Sequence, residues 1–471
     1  MDKETFRYYG HEFIDWVADY FEEVEQYPVR SPVRPGEIKA ALPDRPPLAG
    51  EPMETIFEDF REVIMPGITH WQHPGWFAYF PANNSPESVL AELLTAGLGA
   101  QCMIWQTSPA ATELEEVVMR WLGRMLGLPE GTSGVIQDTA STATLCALLS
   151  AREKATGFEA NLTGLDRPLC VYTSEEGHSS IDKAVKIAGY GIESLRHIPT
   201  DDDFAMIPEE LEKAIENDRA EGLEPACVIG TLGTTSSTAV DPLPEIGAIC
   251  SRYGLWFHVD AAFGGTAALL DEKKDLLTGA EYFDSFVVNP HKWMLTNFDC
   301  SAYFVKDEEA LIRTFEIHPE YLKTGLDAQV KNFRDWGIQL GRRFRALKLW
   351  FVIRSYGVEG LRDMIREHIR LASLFRQWVE EDSRFEVMAP VQFSLVCFRL
   401  KIEGADEEKL ARLNAELLEK VNRSGRVFMT HTSLKGRYAI RMAIGQRATE
   451  ERHVREAWDL LTQTAARLLQ P

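Results

Sequence analysis

Short apolar runs alternate with amphipathic helical patterns through the middle of the chain, and this alternation limits the possible folds more than any other sequence feature. Strands that are buried on both faces and connected through helices form a mostly parallel sheet covered by helices on both sides. The sequence therefore predicts an α/β fold. The strand-like runs are Leu169–Thr173, Ser194–Ile198, Ala226–Leu232, Leu255–Val259, Ser285–Val288 and Ser301–Val305, and the helical patterns cover residues 109–127, 141–155, 180–189, 208–219 and 243–253.

The length of 471 residues exceeds the roughly 250–300 at which a single core stops growing, so more than one structural unit is expected. We predict an N-terminal helical segment over residues 1–85, a large α/β domain over 86–350 and a small α+β domain over 351–471. A proline-rich connector at 27–52 is predicted to hold no regular helix. A long helix is predicted over Gly357–Glu381 in the small domain.

Charge and cysteine usage exclude several classes of protein. The net charge of −22 argues against binding to nucleic acids or to anionic membranes. No apolar stretch reaches the ~18 residues of a membrane span. The seven cysteines are scattered and include no Cys-x-x-Cys pair, which argues against a disulfide framework or a zinc site. With a polar N-terminus, these features favour the cytoplasm.

Two strand-like runs end in groups with opposite charge. The stretch Phe-Val-Val-Asn-Pro-His-Lys-Trp at 286–293 places Lys292 just beyond one run, and Asp260 ends another. A surface lysine and a helix-capping or metal-binding aspartate are the ordinary alternatives. A lysine near a buried strand is costly unless it is paired, neutralised or covalently bound, and lysine forms Schiff bases with aldehydes. Together the two residues predict binding of pyridoxal phosphate (PLP), whose ring nitrogen needs an acid and whose aldehyde needs an amine.

Three further strand ends carry groups that suit the same cofactor. His178 is placed to lie over a ring or to move a proton, although a capping or core histidine is more common. Thr139, Ala140 and Ser141 form a turn into a helix, which suits a phosphate but also describes a plain N-cap. A hydroxyl of the turn Thr231-Leu-Gly-Thr-Thr235 is predicted to bind the ring hydroxyl or the substrate, with a polar turn as the alternative.

Several long motifs, in a fixed order, resemble the group II PLP-dependent amino acid decarboxylases, most closely the aromatic-L-amino-acid decarboxylases. The resemblance implies fold type I of the PLP enzymes, with a mostly parallel seven-stranded sheet. It also implies an obligate homodimer with active sites at the subunit interface. The motifs are Phe77-Ala-Tyr-Phe-Pro, Ser108-Pro-Ala-Ala-Thr-Glu, Thr231-Leu-Gly-Thr-Thr, His258-Val-Asp-Ala-Ala, Asn289-Pro-His-Lys-Trp and Leu340-Gly-Arg-Arg-Phe-Arg.

The resemblance assigns roles to individual residues. Lys292 matches the lysine that binds the cofactor aldehyde, and Asp260 matches the partner of the pyridinium nitrogen. His178 and Ala262 match the residues on the two faces of the ring. The positions that match phosphate-binding residues are Ala140, Ser141, Asn289 and His291, and Thr235 matches a threonine near the ring.

Tyr321 bears on the type of reaction. It matches a tyrosine in a loop that, in the family, closes over the partner's site and protonates the substrate carbon after CO2 leaves. Aldehyde-forming members have phenylalanine there, so the resemblance favours simple decarboxylation. Without the resemblance, a tyrosine packed on the surface is the ordinary interpretation.

The expected substrate is an aromatic L-amino acid such as tryptophan, 5-hydroxytryptophan or DOPA. Trp71, Tyr79 and Phe80 match segments that line the side-chain pocket, although ordinary core positions are the alternative. Gly341 matches a glycine in members that take indolic or catecholic substrates. The alternatives are an oxygen-dependent aldehyde synthase, a histidine or glutamate decarboxylase, another fold type I activity such as desulfuration, and a non-catalytic protein of the same fold. The departures from the family pattern are Ala82, Gln101, Met103 and Asp138.

Overall fold

The computed structural model of the chain describes residues 1–317, 326 and 329–470. The helices are α1 (Lys3–Glu23), α2 (Glu37–Ala41), α3 (Met53–Asp59), α4 (Pro86–Leu98), α5 (Pro109–Leu126), α6 (Ala140–Ala155), α7 (Ala160–Thr163), α8 (Ser180–Ile187), α9 (Pro208–Ala220), α10 (Leu243–Tyr253), α11 (Pro290–Trp293), α12 (Glu308–Phe315), α13 (Arg345–Glu381), α14 (Glu407–Asn422) and α15 (Glu451–Leu468). The strands are β1 (Ser133–Gln137), β2 (Leu169–Ser174), β3 (Leu195–Ile198), β4 (Glu224–Thr231), β5 (Trp256–Asp260), β6 (Ser285–Val288), β7 (Ser301–Val305), β8 (Phe385–Val387), β9 (Leu395–Leu400), β10 (Thr430–Leu434) and β11 (Arg437–Ala443).

Seven strands form one sheet in the order β1-β7-β6-β5-β4-β2-β3. The pairs β2–β3, β2–β4, β4–β5 and β5–β6 are parallel. Strand β7 runs antiparallel to both of its neighbours, β6 and β1. The mostly parallel seven-stranded sheet is therefore confirmed, and every strand except β7 ends at the same edge. In open α/β sheets this carboxyl-end edge is where ligands bind.

Helix α6 packs on the middle of this sheet and begins at its carboxyl-end edge, because β1 ends only three residues before it. Thr139 caps the helix by accepting a hydrogen bond from the Thr142 N–H at 3.4 Å. The small buried side chains of Ala143 and Ala147 pack in a cluster that includes Val287 of β6. Small residues let the helix approach the sheet closely, which holds its positively polarised N-terminus at the ligand-binding edge.

The chain comprises two compact units. The first consists of Met1–Pro81, Leu374–Glu386 and Phe398–Pro471, and the second of Ala82–Ser373 and Val387–Cys397. The seven-stranded sheet lies in the second unit. A smaller four-stranded sheet has the order β10-β11-β9-β8. The division into residues 1–85, 86–350 and 351–471 stays a prediction.

The structure adds two helical segments to the sequence expectations. The connector at 27–52 contains the one-turn helix α2, because no proline occurs between 36 and 42 and Gly36, with φ of 93°, starts the turn. The long helix predicted over Gly357–Glu381 is the second part of α13; Gly357, with a φ of 66°, divides it from a preceding helix that begins at Arg345. Among the residues that the structure describes, no helix combines the length and apolarity needed to cross a membrane.

Candidate active site

The ends of β5 and β6 bring a carboxylate and an amine to the same edge of the sheet. Asp260, the last residue of β5, pairs in register with Thr231 of β4 on one side and Val287 of β6 on the other. Strand β6 ends one residue later, and Asn289 then precedes the short helix α11, which carries Lys292. The parallel register thus places the two predicted cofactor-binding groups at neighbouring strand ends.

The environment of Lys292 makes its amine easier to deprotonate than a lysine in water. Burial lowers the pKa of the Lys292 ammonium, and the negative charge of Asp260 opposes that shift. The backbone carbonyl of Lys292 accepts a hydrogen bond from the Asn83 side chain at 3.0 Å. A neutral lysine held on a fixed backbone is the form that attacks an aldehyde.

The backbone that follows Asp260 is packed tightly. The Asp260 carboxylate is buried and accepts a hydrogen bond from the Ala262 N–H at 3.1 Å. A Cβ on Gly264 would lie 2.5 Å from the carbonyl oxygen of Leu232. Gly233 adopts a φ of +93° on the opposing turn, a conformation that glycine supplies at little cost. Glycines at both positions let the turns after β4 and β5 pack together beside the carboxylate.

His258 lies two residues before Asp260, on the same face of β5, and takes part in a network of buried hydrogen bonds. The His258 Nδ1 lies 2.9 Å from the Ser285 hydroxyl, and its Nε2 lies 3.4 Å from the Thr144 hydroxyl. Trp256 donates its indole N–H to the same Ser285 oxygen at 2.9 Å. Burial lowers the pKa of His258 to about 4, with Asp260 opposing. The sequence analysis did not predict this network. The available signal was the two-residue spacing of His258 and Asp260, which places both side chains on one face of the strand.

His178 lies between β2 and α8 and shares the electrostatic environment of Asp260 and Lys292. Burial lowers the pKa of His178, Asp260 opposes the shift, and Lys292 and Lys183 reinforce it. The His178 Nδ1 lies 2.7 Å from the Ser180 hydroxyl. The structure therefore brings together the three ionisable residues for which the sequence predicted catalytic roles and whose positions it describes. Tyr321, the fourth, lies outside the described residues.

The turn before α6 carries an acidic residue where the family pattern has glycine. Asp138 accepts hydrogen bonds from the Thr139 N–H at 2.6 Å and from the Gln339 side chain at 2.8 Å. Burial opposes ionisation, but the hydrogen bonds from Thr142, Thr139 and Gln339 together hold the pKa of Asp138 below its usual range. The carboxylate is thus occupied by neighbouring donors beside the predicted phosphate turn. Ala140 and Ser141 form the first residues of α6.

Asn289 and His291, the other predicted phosphate ligands, have fixed orientations. Asn289 accepts a hydrogen bond from the Ser301 hydroxyl at 2.6 Å, which leaves its N–H donors on the opposite side of the amide. The His291 Nδ1 accepts the Cys300 N–H at 2.9 Å, so its Nε2 carries the proton. Burial, reinforced by Lys292, lowers the pKa of His291 to about 3. Both side chains therefore offer neutral N–H donors, which suit a phosphate.

The predicted substrate-binding aromatics lie in the first unit. Trp71 and Tyr79 stack with ring centroids 6.0 Å apart, and both are exposed. Phe80 is buried, and the guanidinium of Arg441 lies 5.3 Å from its ring centroid. The Tyr79 N–H donates to the Thr430 hydroxyl at 3.3 Å. We call Trp71, Tyr79 and Phe80 the aromatic wall.

Gly341 and Thr235 lie in the second unit. A Cβ on Gly341 would meet the side-chain nitrogen of Gln101 at 3.3 Å, and the Gln101 oxygen accepts the Arg342 N–H at 2.7 Å. The end of the Gln101 side chain therefore lies against the space that a side chain at 341 would enter, and would have to shift by a few tenths of an ångström to admit one. Thr235 is exposed in the turn that follows β4. The roles of these and the other site residues stay predictions.

The described residues fit PLP. The edge of the sheet holds a buried carboxylate, Asp260, an amine of lowered pKa, Lys292, and the N-terminus of α6 for a phosphate. The hydroxyl of Thr231, next to Asp260 in register, is buried without a hydrogen-bond partner. A buried polar atom without a partner is costly, and a bound ligand at this edge is one way to satisfy it.

Comparison with known proteins agrees with this geometry. The profile of the pyridoxal-dependent decarboxylase conserved domain matches residues 35–401. The chain is 46% identical to tryptophan decarboxylase 2 of Oryza sativa over all of this chain and 96% of the relative. It is also 46% identical to phenylacetaldehyde synthase of Arabidopsis thaliana, covering 100% and 97%.

A solved structure extends the comparison to the fold. The Oryza sativa TDC with PLP and tryptamine superposes with a TM-score of 0.97 at 37% identity, covering 100% of this chain and 99% of that one. The predictions of fold type I and of PLP as cofactor are confirmed. The chain belongs to the pyridoxal-dependent decarboxylase family.

Proposed function

We propose that this protein decarboxylates an aromatic L-amino acid to the corresponding amine and CO2. The observation that carries the proposal is the pairing of buried Asp260 with a Lys292 of lowered pKa, in a chain whose relatives over its full length act on aromatic amino acids. Indolic or catecholic substrates are favoured because position 341 is glycine. The retained Lys292 and Asp260 argue against a non-catalytic protein of the same fold.

Each residue contributes a separate step. Lys292 would hold the cofactor through its aldehyde until the substrate amine takes its place. PLP, when bound, withdraws electrons from the substrate Cα and so stabilises the charge left as CO2 departs. Asp260 holds the proton on the ring nitrogen, which strengthens that withdrawal. Tyr321 would donate the proton to Cα, which is the role that the resemblance gives to the matching tyrosine.

An oxygen-dependent aldehyde synthase is the second candidate, because a relative of equal identity is a phenylacetaldehyde synthase. Such an enzyme consumes O2 and water instead of protonating Cα, and it yields an aldehyde, ammonia, CO2 and hydrogen peroxide. Tyr321 argues against this outcome because aldehyde-forming members carry phenylalanine at the matching position.

A substrate panel distinguishes the candidates. The purified holoenzyme is incubated with tryptophan, 5-hydroxytryptophan, DOPA, tyrosine, phenylalanine, histidine and glutamate, and CO2, amine, aldehyde and peroxide are measured. We expect CO2 and amine from the aromatic substrates. Equimolar aldehyde and peroxide in place of amine would establish the synthase instead. Tyr321→Phe is expected to retain PLP and to shift the products toward aldehyde; an unchanged yield of amine would remove Tyr321 from the proton-transfer step.

We also propose that the protein is an obligate homodimer. Helix α4 exposes a row of leucines at helical spacing, Leu90, Leu93, Leu94 and Leu98, each at least 47% exposed in the single chain. A solvated stripe of this kind is costly, and a second copy that covers it removes the cost. Light scattering after gel filtration should give twice 53.3 kDa, and Leu93→Glu with Leu94→Glu should give 53.3 kDa. A monomeric wild type would refute the proposal.

A cytoplasmic location is the last proposal. It is supported by the seven cysteines, which are all buried and free, as expected in a reducing compartment. Fractionation of the source cells with antibody detection tests it, and recovery with secreted or organellar markers would contradict it.

A further inference from the structure

His178 is contacted on one ring nitrogen by two groups of a single residue. The Ser180 backbone N–H points at the His178 Nδ1 from 3.2 Å, and the Ser180 hydroxyl lies 2.7 Å from the same atom. Ser180 is the first residue of α8 and is buried, whereas the His178 ring is partly desolvated by the surrounding protein and keeps an exposed surface in the single chain. The serine is therefore held by the helix, and the imidazole is oriented by the serine.

The backbone contact decides which nitrogen carries the proton. A backbone amide is always a donor, so the His178 Nδ1 must be the acceptor in this contact. The Ser180 hydroxyl then donates to the same nitrogen, and the single proton of the neutral ring lies on Nε2. A proton on Nδ1 would face the Ser180 N–H directly.

We infer that Ser180 is a positioning residue that holds His178 as the neutral Nε2–H tautomer, so that His178 offers the bound substrate a hydrogen-bond donor instead of a base. This inference deepens the proposed function and rests on it for the identity of the substrate. A donor in this position suits the α-carboxylate of an amino acid. It also leaves protonation of Cα to another acid, which agrees with the role proposed for Tyr321.

The charges around His178 act in the same direction. Burial is the main cause of its lowered pKa, and the positive charges of Lys292 and Lys183 add to it; Asp260 alone opposes the shift. Hydrogen bonds donated to Nδ1 stabilise the neutral ring further, because an imidazolium has no lone pair to accept them. Removing the Ser180 hydroxyl should therefore raise the pKa of His178.

The tautomer can be tested without measuring activity. Holoenzyme labelled with 15N-histidine is studied by NMR, and the His178 signals are identified by their loss in His178→Gln. We expect an acceptor-type Nδ1 and a protonated Nε2 at neutral pH. In Ser180→Ala the titration of His178 should move up by about half to one pH unit, the value of one neutral hydrogen bond. Wild-type protein with the proton on Nδ1 would overturn the inference.

Two variants separate positioning from a general structural effect. Ser180→Thr keeps the hydroxyl and should restore the wild-type titration. Ser179→Ala removes an exposed neighbouring hydroxyl that makes no capping hydrogen bond and should change nothing. If Ser180→Ala folds poorly, Ser180→Cys, a weaker donor of similar size, should show a smaller upward shift. An unshifted titration in folded Ser180→Ala, or in folded Ser180→Cys, would also overturn the inference.

Kinetics connect the tautomer to the reaction. In Ser180→Ala the acidic limb of the kcat profile should move up by the same fraction of a pH unit, because that limb reports the protonation of His178, whose pKa rises when the Ser180 hydroxyl is removed. A wild type that shows the Nε2–H tautomer but forms no amine from any aromatic substrate would refute the proposed function and support the role of Ser180. A wild-type enzyme that forms amine but carries the His178 proton on Nδ1 would support the proposed function and refute the role of Ser180.

Discussion

The strand-end cluster and the aromatic wall are built on different physical principles. The cluster consists of Asp260, Lys292 and His178 in the second unit, and its residues act on one another through charge and desolvation. The wall lies in the first unit and depends on packing, with Tyr79 fixed by a hydrogen bond to Thr430, 351 residues away in the chain.

This difference predicts different responses to mutation. A cluster of ionisable groups at strand ends has one amine and one carboxylate, so the loss of either removes a step of the reaction. The aromatic wall is stabilised by several contacts, including that between Trp71 and Trp76, whose ring centroids lie 4.1 Å apart. Replacing Asp260 or Lys292 should therefore abolish activity, and substitutions in the aromatic wall should reduce activity by degrees.

The largest effect is expected for Lys292→Ala. Since Lys292 is the amine of lowered pKa beside Asp260, its removal should abolish the visible absorbance of bound PLP. It should also lower the rate of CO2 release by on the order of 10³-fold or more. Absorbance spectra and CO2 release measure both effects. Lys186→Ala, which removes an exposed lysine of α8, is the matched control. A Lys292→Ala variant that keeps most of its activity would end the assignment of the cluster as the catalytic centre.

The residues of the cluster were predictable from the sequence, whereas the contacts that surround them were not. The bounds of β6, β7 and α10 match the predicted ranges, since apolar periodicity reports burial along a single segment. Periodicity does not report pairing, so the antiparallel direction of β7 was not foreseen. The partner of Asp138, Gln339, lies 201 residues away, and no local pattern indicates it.

The same limit explains what was missed in the wall. Strand β10 has the sequence Thr-His-Thr-Ser-Leu, in which four consecutive residues are polar and only the last is buried. This pattern is also typical of a loop. Thr430 on that strand fixes Tyr79 only because the fold brings the two together. The aromatic residues were found through family resemblance, because clusters of Trp, Tyr and Phe also occur in ordinary cores.

The acid sensitivity of the two regions offers a second comparison. Burial lowers the pKa to about 4 for both His258, beside the cluster, and His73, in the first unit. The folded state then binds fewer protons than the unfolded state between pH 6.5 and 4, so stability is lost as the pH falls through this interval. Each histidine should remove about 2 kcal/mol of unfolding free energy between pH 7 and pH 5.

Urea unfolding at pH 7 and pH 5 measures this loss. Hydrogen exchange in β5 and at residues 70–76 reports the two units separately. His258→Gln should reduce the acid sensitivity of β5, and His73→Gln should reduce that of residues 70–76. If each variant instead lost stability with pH as steeply as the wild type, neutral burial of these rings would not be the cause.

The smallest effect is expected for Thr430→Val, which acts on the wall. The Thr430 hydroxyl accepts the Tyr79 N–H at 3.3 Å and a guanidinium N–H of buried Arg441 at 3.0 Å. Valine keeps the shape and leaves both donors without this acceptor, so we expect a loss of about 1 kcal/mol of unfolding free energy.

For catalysis, Thr430→Val should raise KM for aromatic substrates a few-fold while PLP absorbance and the acidic limb of the kcat profile stay unchanged. Ser433→Ala, at an exposed position of the same strand, is the control and should have no effect on KM. A Thr430→Val variant that lost PLP would show that packing in the wall and cofactor binding in the cluster are coupled. The cluster and the wall would then not differ in how they respond to substitution. Substrate preference would have to be assigned to both regions.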